Sequence, residues 1–88
     1  MTDLAYGCRA ALDDARRSIN HGGLVEVAGR RGLCWVGEHP DCTAEHPSHI
    51  VSDLVARGLL SRIGRKPGRT AHITEAGLME LDVAGWAA

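Results

Sequence analysis

Phenylalanine is missing from this sequence, and the only aromatic residues are Tyr6, Trp35 and Trp86. A core without aromatic bulk has to be filled by Leu, Val, Ile and Ala. Long apolar runs are missing too. None approaches the roughly 20 residues that cross a bilayer. The first residues, Met1-Thr2-Asp3-Leu4, lack the basic start and apolar stretch of a signal peptide, so a cytoplasmic location is the expectation. Cysteine is scarce and odd in number: Cys8, Cys34 and Cys42 cannot close a disulfide framework and read as buried free thiols. Enzyme signatures are lacking as well. There is no G-x-S-x-G, no phosphate-cradling glycine loop, no H-E-x-x-H and no paired-carboxylate pattern. Cys42 and His46 have the residue types of a nucleophile and its base, but nothing supplies an oxyanion site. Neither catalysis nor a cofactor is expected.

What is present fits one small domain spanning 1–88. A chain of this size buries roughly 60% of the surface its unfolded form exposes, and dimerisation is one way to cover the remainder. Apolar residues make up 44% and charged residues 24%, an ordinary globular balance. The net charge of −1 conceals a strong asymmetry. Residues 1–56 carry a net −3 and residues 73–88 another −3, whereas residues 57–72 hold Arg57, Arg62, Arg65, Lys66 and Arg69 with no acid. A basic stripe on an otherwise acidic chain is a footprint for an anionic partner, or else a solvated turn.

Apolar periodicity predicts a helix over 3–20, capped by Thr2 or Asp3, with Leu4, Cys8, Ala11, Leu12, Ala15 and Ile19 on one face. Gly22-Gly23 follows its end. Residues 24–37 read as a hairpin turning at Gly29-Arg30-Arg31-Gly32, although one of its segments could be helical. The connector 38–47 contains two His-Pro steps that exclude helix except between the prolines, over Asp41 to Glu45. Ser48 is the expected cap of a second helix over 48–60, with Ile50, Val51, Leu54, Val55, Leu59 and Leu60 inward. His49, Ser52, Asp53, Ala56 and Arg57 face outward, and Gly58 reverses the chain. A second hairpin over 61–73 turns at Lys66-Pro67-Gly68-Arg69, with Ile63, Ala71 and Ile73 toward the core. A last helix over 75–84 takes Thr74 as its cap, with Leu78, Leu81 and Met79 inward. Gly77 in that helix is tolerable if another backbone passes close by.

The stretch from Ser48 to Arg62, ending in Arg57-Gly58-Leu59-Leu60-Ser61-Arg62, resembles the recognition helix and exit of winged-helix regulators of the multiple-antibiotic-resistance (MarR) type. Ile73-Thr74-Glu75-Ala76-Gly77-Leu78 resembles that family's step from wing to closing helix. The resemblance implies an α+β winged-helix domain with three or more helices, a recognition helix at about 48–58 and a wing at about 61–73. Its implied function is a transcriptional regulator binding double-stranded DNA as a homodimer. Ser48, His49 and Ser52 would meet bases or nearby phosphates, Arg57 the backbone, and Arg62, Arg65, Lys66 and Arg69 the flanking phosphates or minor groove. The helices at 3–20 and 75–84, with Trp86, would form the dimer surface.

Two features depart from that family's pattern. No clear helix precedes 48–58, and Asp53 sits on its outer face. The alternative is therefore a winged-helix interaction module, such as a phage or mobile-element accessory or inhibitor protein, docking on a larger complex. A third candidate chemistry is a zinc site drawn from Cys34, His39, Cys42 and His46, set against free thiols and connector histidines.

Overall fold

The computed structural model describes residues 5–65 and 68–83. In chain order the elements are α1 (Tyr6–Arg17), β1 (Leu24–Gly29), β2 (Gly32–Gly37), β3 (His46–Pro47), α2 (Ser48–Ala56), β4 (Leu60–Ile63), β5 (Thr70–Ile73) and α3 (Glu75–Val83). The strands form one antiparallel sheet in the order β3-β2-β1-β5-β4. Among the described residues the chain is thus a small α+β fold with three helices and five strands.

The predicted stripe of α1 is in the core, where Cys8, Ala11, Leu12 and Ala15 are buried. Its ends differ from expectation. Thr2, Asp3 and Leu4 lie outside the described residues, and Ala5 occupies the N-cap without a side-chain bond. The helix stops at Arg17 rather than at residue 20. Ser18 is its C-cap, fully buried, and the Ser18 hydroxyl accepts the His39 N–H at 3.1 Å. Ile19 consequently leaves the apolar face and is 52% exposed.

The first hairpin forms as predicted, with Gly29 paired to Gly32. Arg30 and Arg31 keep negative φ, and Gly32 takes φ +111°. The glycine thereby absorbs the twist that a two-residue turn of ordinary residues cannot supply. On β1 and β2, alternate residues Leu24, Glu26 and Trp35 point toward the helices. Leu24 and Trp35 join Leu60 and Ala71 against Leu12, Val51, Leu54 and Leu81. Val25, Val27, Val36, Thr70 and His72 are half-buried on the opposite face. Ile63 pairs with Thr70 and shares that face, so it is 58% exposed and not a core residue.

Between β2 and α2 the helical turn expected at Asp41–Glu45 is absent. Residues 42–45 have no regular structure, and His46–Pro47 pairs with Trp35 and Cys34 as a short edge strand. The backbone before a proline is driven extended, and a proline on an edge strand breaks no inner ladder. A β-hairpin therefore stands where a helix-turn-helix would have its first helix. Pro47, not Ser48, is the N-cap of α2; the Ser48 hydroxyl instead donates to the Leu33 carbonyl at 3.1 Å.

Gly58 reverses the chain at φ +76°, as expected. Thr74 caps α3 as predicted: its hydroxyl accepts the Gly77 N–H at 3.1 Å and donates to the Gly58 carbonyl at 2.7 Å. One side chain thus ties the end of α2 to the start of α3. Thr74→Ala is expected to cost roughly 1–2 kcal/mol, read as a fall in the urea midpoint at unchanged m-value. Leu81 is buried, but Leu78 and Met79 are 36% and 61% exposed and do not pack inward.

Pairing also sets direction. Thr70 is level with both Val25 and Ile63, so β1 and β4 run the same way. The 30–31 turn and the residues that leave β4, Gly64 and Arg65, therefore lie at the same end of the sheet. His46 is level with Trp35 and Pro47 with Cys34, so β3 delivers α2 to that end too.

Candidate nucleic-acid interface

The start of α2, the 30–31 turn and the end of β4 with Gly64 and Arg65 lie at this end. Of the predicted contact residues, His49 and Ser52 are exposed along α2, and Ser48 is half-buried at its first position. Arg62 on β4 donates from Nη1 to the Ser52 hydroxyl at 3.3 Å. The base of the second hairpin therefore adjoins the exposed side of α2. Arg65 is exposed in the loop beyond and has no ion pair among the described residues. Lys66, with Pro67, lies outside the described residues.

Two predicted contacts are otherwise engaged. Arg57 pairs with Asp53, Nε to Oδ2 at 3.1 Å, one helical turn apart. The same carboxylate lies 3.9 Å from the Cys8 thiol. Asp53 is thus neutralised rather than left facing an anion, at the expense of Arg57 as a free cation. Arg69, which by sequence projects from the wing, instead turns its guanidinium inward and donates to both carboxylate oxygens of Glu26, at 3.0 and 2.8 Å. The Glu26 side chain is fully buried and that of Arg69 is 15% exposed. The guanidinium carbon also stands 5.6 Å from the Trp35 ring centroid. A bidentate bond to a buried carboxylate outweighs solvation at a loop, and the bond to Glu26 raises the Arg69 pKa despite burial.

Arg30 and Arg31, turn residues by sequence, also belong to this end. They are exposed at the tip of the first hairpin and carry no ion pair among the described residues. They line a hollow of about 630 Å³ together with Leu33, Cys34, Glu45 and His49. Two adjacent arginines between turn glycines were a legible signal, hidden because residues 1–56 sum to net acid.

No family model, curated protein or solved structure matches the chain.

The four zinc candidates are not drawn together. Cys34 faces the hollow. His39 Nδ1 accepts the Asp41 N–H at 3.0 Å. The Cys42 sulfur lies 3.8 Å from the Ser18 hydroxyl and 3.9 Å from the Asp14 carbonyl. His46 Nε2 bonds the Asp14 carboxylate at 2.6 Å. Among the described residues, no group of three or more His, Cys, Asp or Glu side chains is arranged to hold a metal. All three cysteines are buried free thiols. Burial pushes each thiol pKa up, helped by Asp53 at Cys8 and Glu45 at Cys34. At Cys42 burial likewise outweighs the lowering bond from Ser18. A raised thiol pKa leaves less thiolate, the nucleophilic form, at neutral pH. Among the described residues, no helix is long and apolar enough to cross a membrane.

Proposed function

We propose that the chain is a winged-helix-like DNA-binding protein, a transcriptional regulator that sets α2 in the major groove and the β4–β5 hairpin against the flanking backbone. The reading rests on Arg62 reaching across Ser52, which makes the exposed side of α2 and the arginine-bearing hairpin one surface. In this arrangement His49 and Ser52 face base edges, while Arg62 and Arg65 neutralise phosphates. Arg57 and Arg69, being paired, take no part. A homodimer belongs to the proposal, since one copy offers few phosphate contacts. The stripe on α1 is used by the core, so the exposed Leu78 and Met79 on α3 are the dimer surface in this reading. Trp86 lies outside the described residues.

The test is fluorescence anisotropy with random duplex DNA across a salt series. The intact chain is expected to bind at low salt with a negative log–log slope. Arg62→Ala/Arg65→Ala should weaken binding about tenfold or more near 0.1 M salt and flatten the slope by roughly 0.9 for each phosphate that is no longer neutralised. No detectable binding by the intact chain at low salt would sink this reading. It would leave the second one, docking on a larger protein complex, which the sheet face bearing Val25, Val27, Val36 and exposed Ile63 favours.

A further inference from the structure

We infer that the β1–β2 turn is a second backbone-gripping arm, with Arg30 and Arg31 holding a phosphate of the duplex in the hollow beside His49. This rests on the DNA reading and assigns it a contact that neither the basic segment nor the resemblance to winged helices contains. Three observations carry it. First, strand register brings the 30–31 turn and the end of β4 out at one end of the sheet, and β3 delivers α2 to that end. Second, Arg30 and Arg31 are exposed and without an ion pair among the described residues, whereas Arg16, Arg17, Arg57 and Arg69 are all paired to carboxylates. Third, they do not stand on open surface. They border a hollow of about 630 Å³ whose other walls include His49, exposed on α2, and Glu45.

Adjacent guanidiniums at the rim of a concave site are suited to phosphate oxygens, which they bind through paired N–H donors. The start of α2 adds partial positive charge at the same place. The two arms would meet α2 at different points. Arg30 and Arg31 stand by its first turn, and Arg62 by Ser52, four residues on, or about 6 Å along the axis. The hairpin thus performs the backbone contact that a first helix makes in a helix-turn-helix, from a different element. Glu45 opposes the ligand. Its carboxylate in the same hollow lowers the local potential, and removing its charge should tighten binding.

The experiment compares salt slopes for the intact chain, Arg30→Ala/Arg31→Ala, Arg30→Lys/Arg31→Lys, and Glu45→Gln, with thermal melts as the folding control. Negative φ and the absence of ion pairs at both turn positions make the alanine pair neutral for folding. The expected result is a slope about 1–2 units shallower and binding at least tenfold weaker for the alanine pair. The lysine pair should retain most of the slope, and Glu45→Gln should bind a few-fold more tightly. A folded alanine pair with the intact chain's slope would overturn this inference while leaving the DNA reading standing. Absence of binding by the intact chain would overturn both.

Discussion

Glu26→Ala is expected to lower the thermal midpoint by on the order of 10 °C or more. The Glu26 carboxylate is fully buried on the helix-facing side of β1, and both its oxygens accept from Arg69. A buried pair adds little over an apolar pair, but removing Glu26 leaves the Arg69 charge without its bidentate carboxylate. Arg69 retains 15% exposure and can partly swing out. That swing would loosen the start of β5, whose preceding carbonyl accepts the Glu26 N–H at 2.8 Å. Differential scanning calorimetry on Glu26→Ala, Arg69→Met and the double variant Glu26→Leu/Arg69→Met separates the contributions. Each single change should melt well below the double one, which recovers most of the loss. A Glu26→Ala midpoint within about 3 °C of the parent, less than 1 kcal/mol at this size, would show that the pair carries no such weight.

Gly77→Ala should destabilise by roughly 2–4 kcal/mol, although alanine is the better helix former by about 1 kcal/mol. A Cβ at this position would overlap the Leu59 carbonyl oxygen and stand 2.7 Å from the Ile73 Cγ1. The Leu59 carbonyl cannot retreat easily, because it accepts the Thr74 N–H at 3.1 Å. Backbone against backbone leaves no flexible side-chain tip to give way. The neighbouring exposed Ala76 makes the control: Ala76→Gly should lose only about 1 kcal/mol, the ordinary propensity difference. Urea titration of both variants checks the pair. A Gly77→Ala protein as stable as its parent would mean that α3 can slide off the β4 entry at little cost.

The parts of the fold written in local signals were legible. Gly58 after an apolar helix, Thr74 before an acidic first turn, and Gly29-Arg30-Arg31-Gly32 between β-prone runs each specify a turn or cap within a few residues, and the structure contains all of them. What depended on distant partners was not legible. Arg69 sits in a basic loop by sequence, and only the β1–β5 register brings Glu26, 43 residues away, beneath it. The strand at His46–Pro47 is two residues long and has no periodicity to read. Leu78 and Met79 follow one another in a short helix whose inner side is taken by Gly77 and Leu81, so apolar character alone misdirected them. At the candidate site, His49, Ser52, Arg62 and Arg65 were named from sequence and are exposed. Arg30 and Arg31 do not stand out by charge, because the acids of residues 1–56 outweigh the arginines there.

The sheet order also bears on how the polypeptide acquires its shape as it is synthesised. β1 sits at the centre, and its second neighbour is β5, which follows some forty residues later. A nascent chain that has reached the end of α2 can close β1 on β2, but Leu24 and Glu26 still lack the strand that flanks them. Closure waits until Arg69 and Ala71 leave the ribosome, so the central strand gains its second neighbour late. Premature termination anywhere before β5 would leave a translation product with a buried-type acid and an apolar strand edge open to water, a natural substrate for chaperones and proteases.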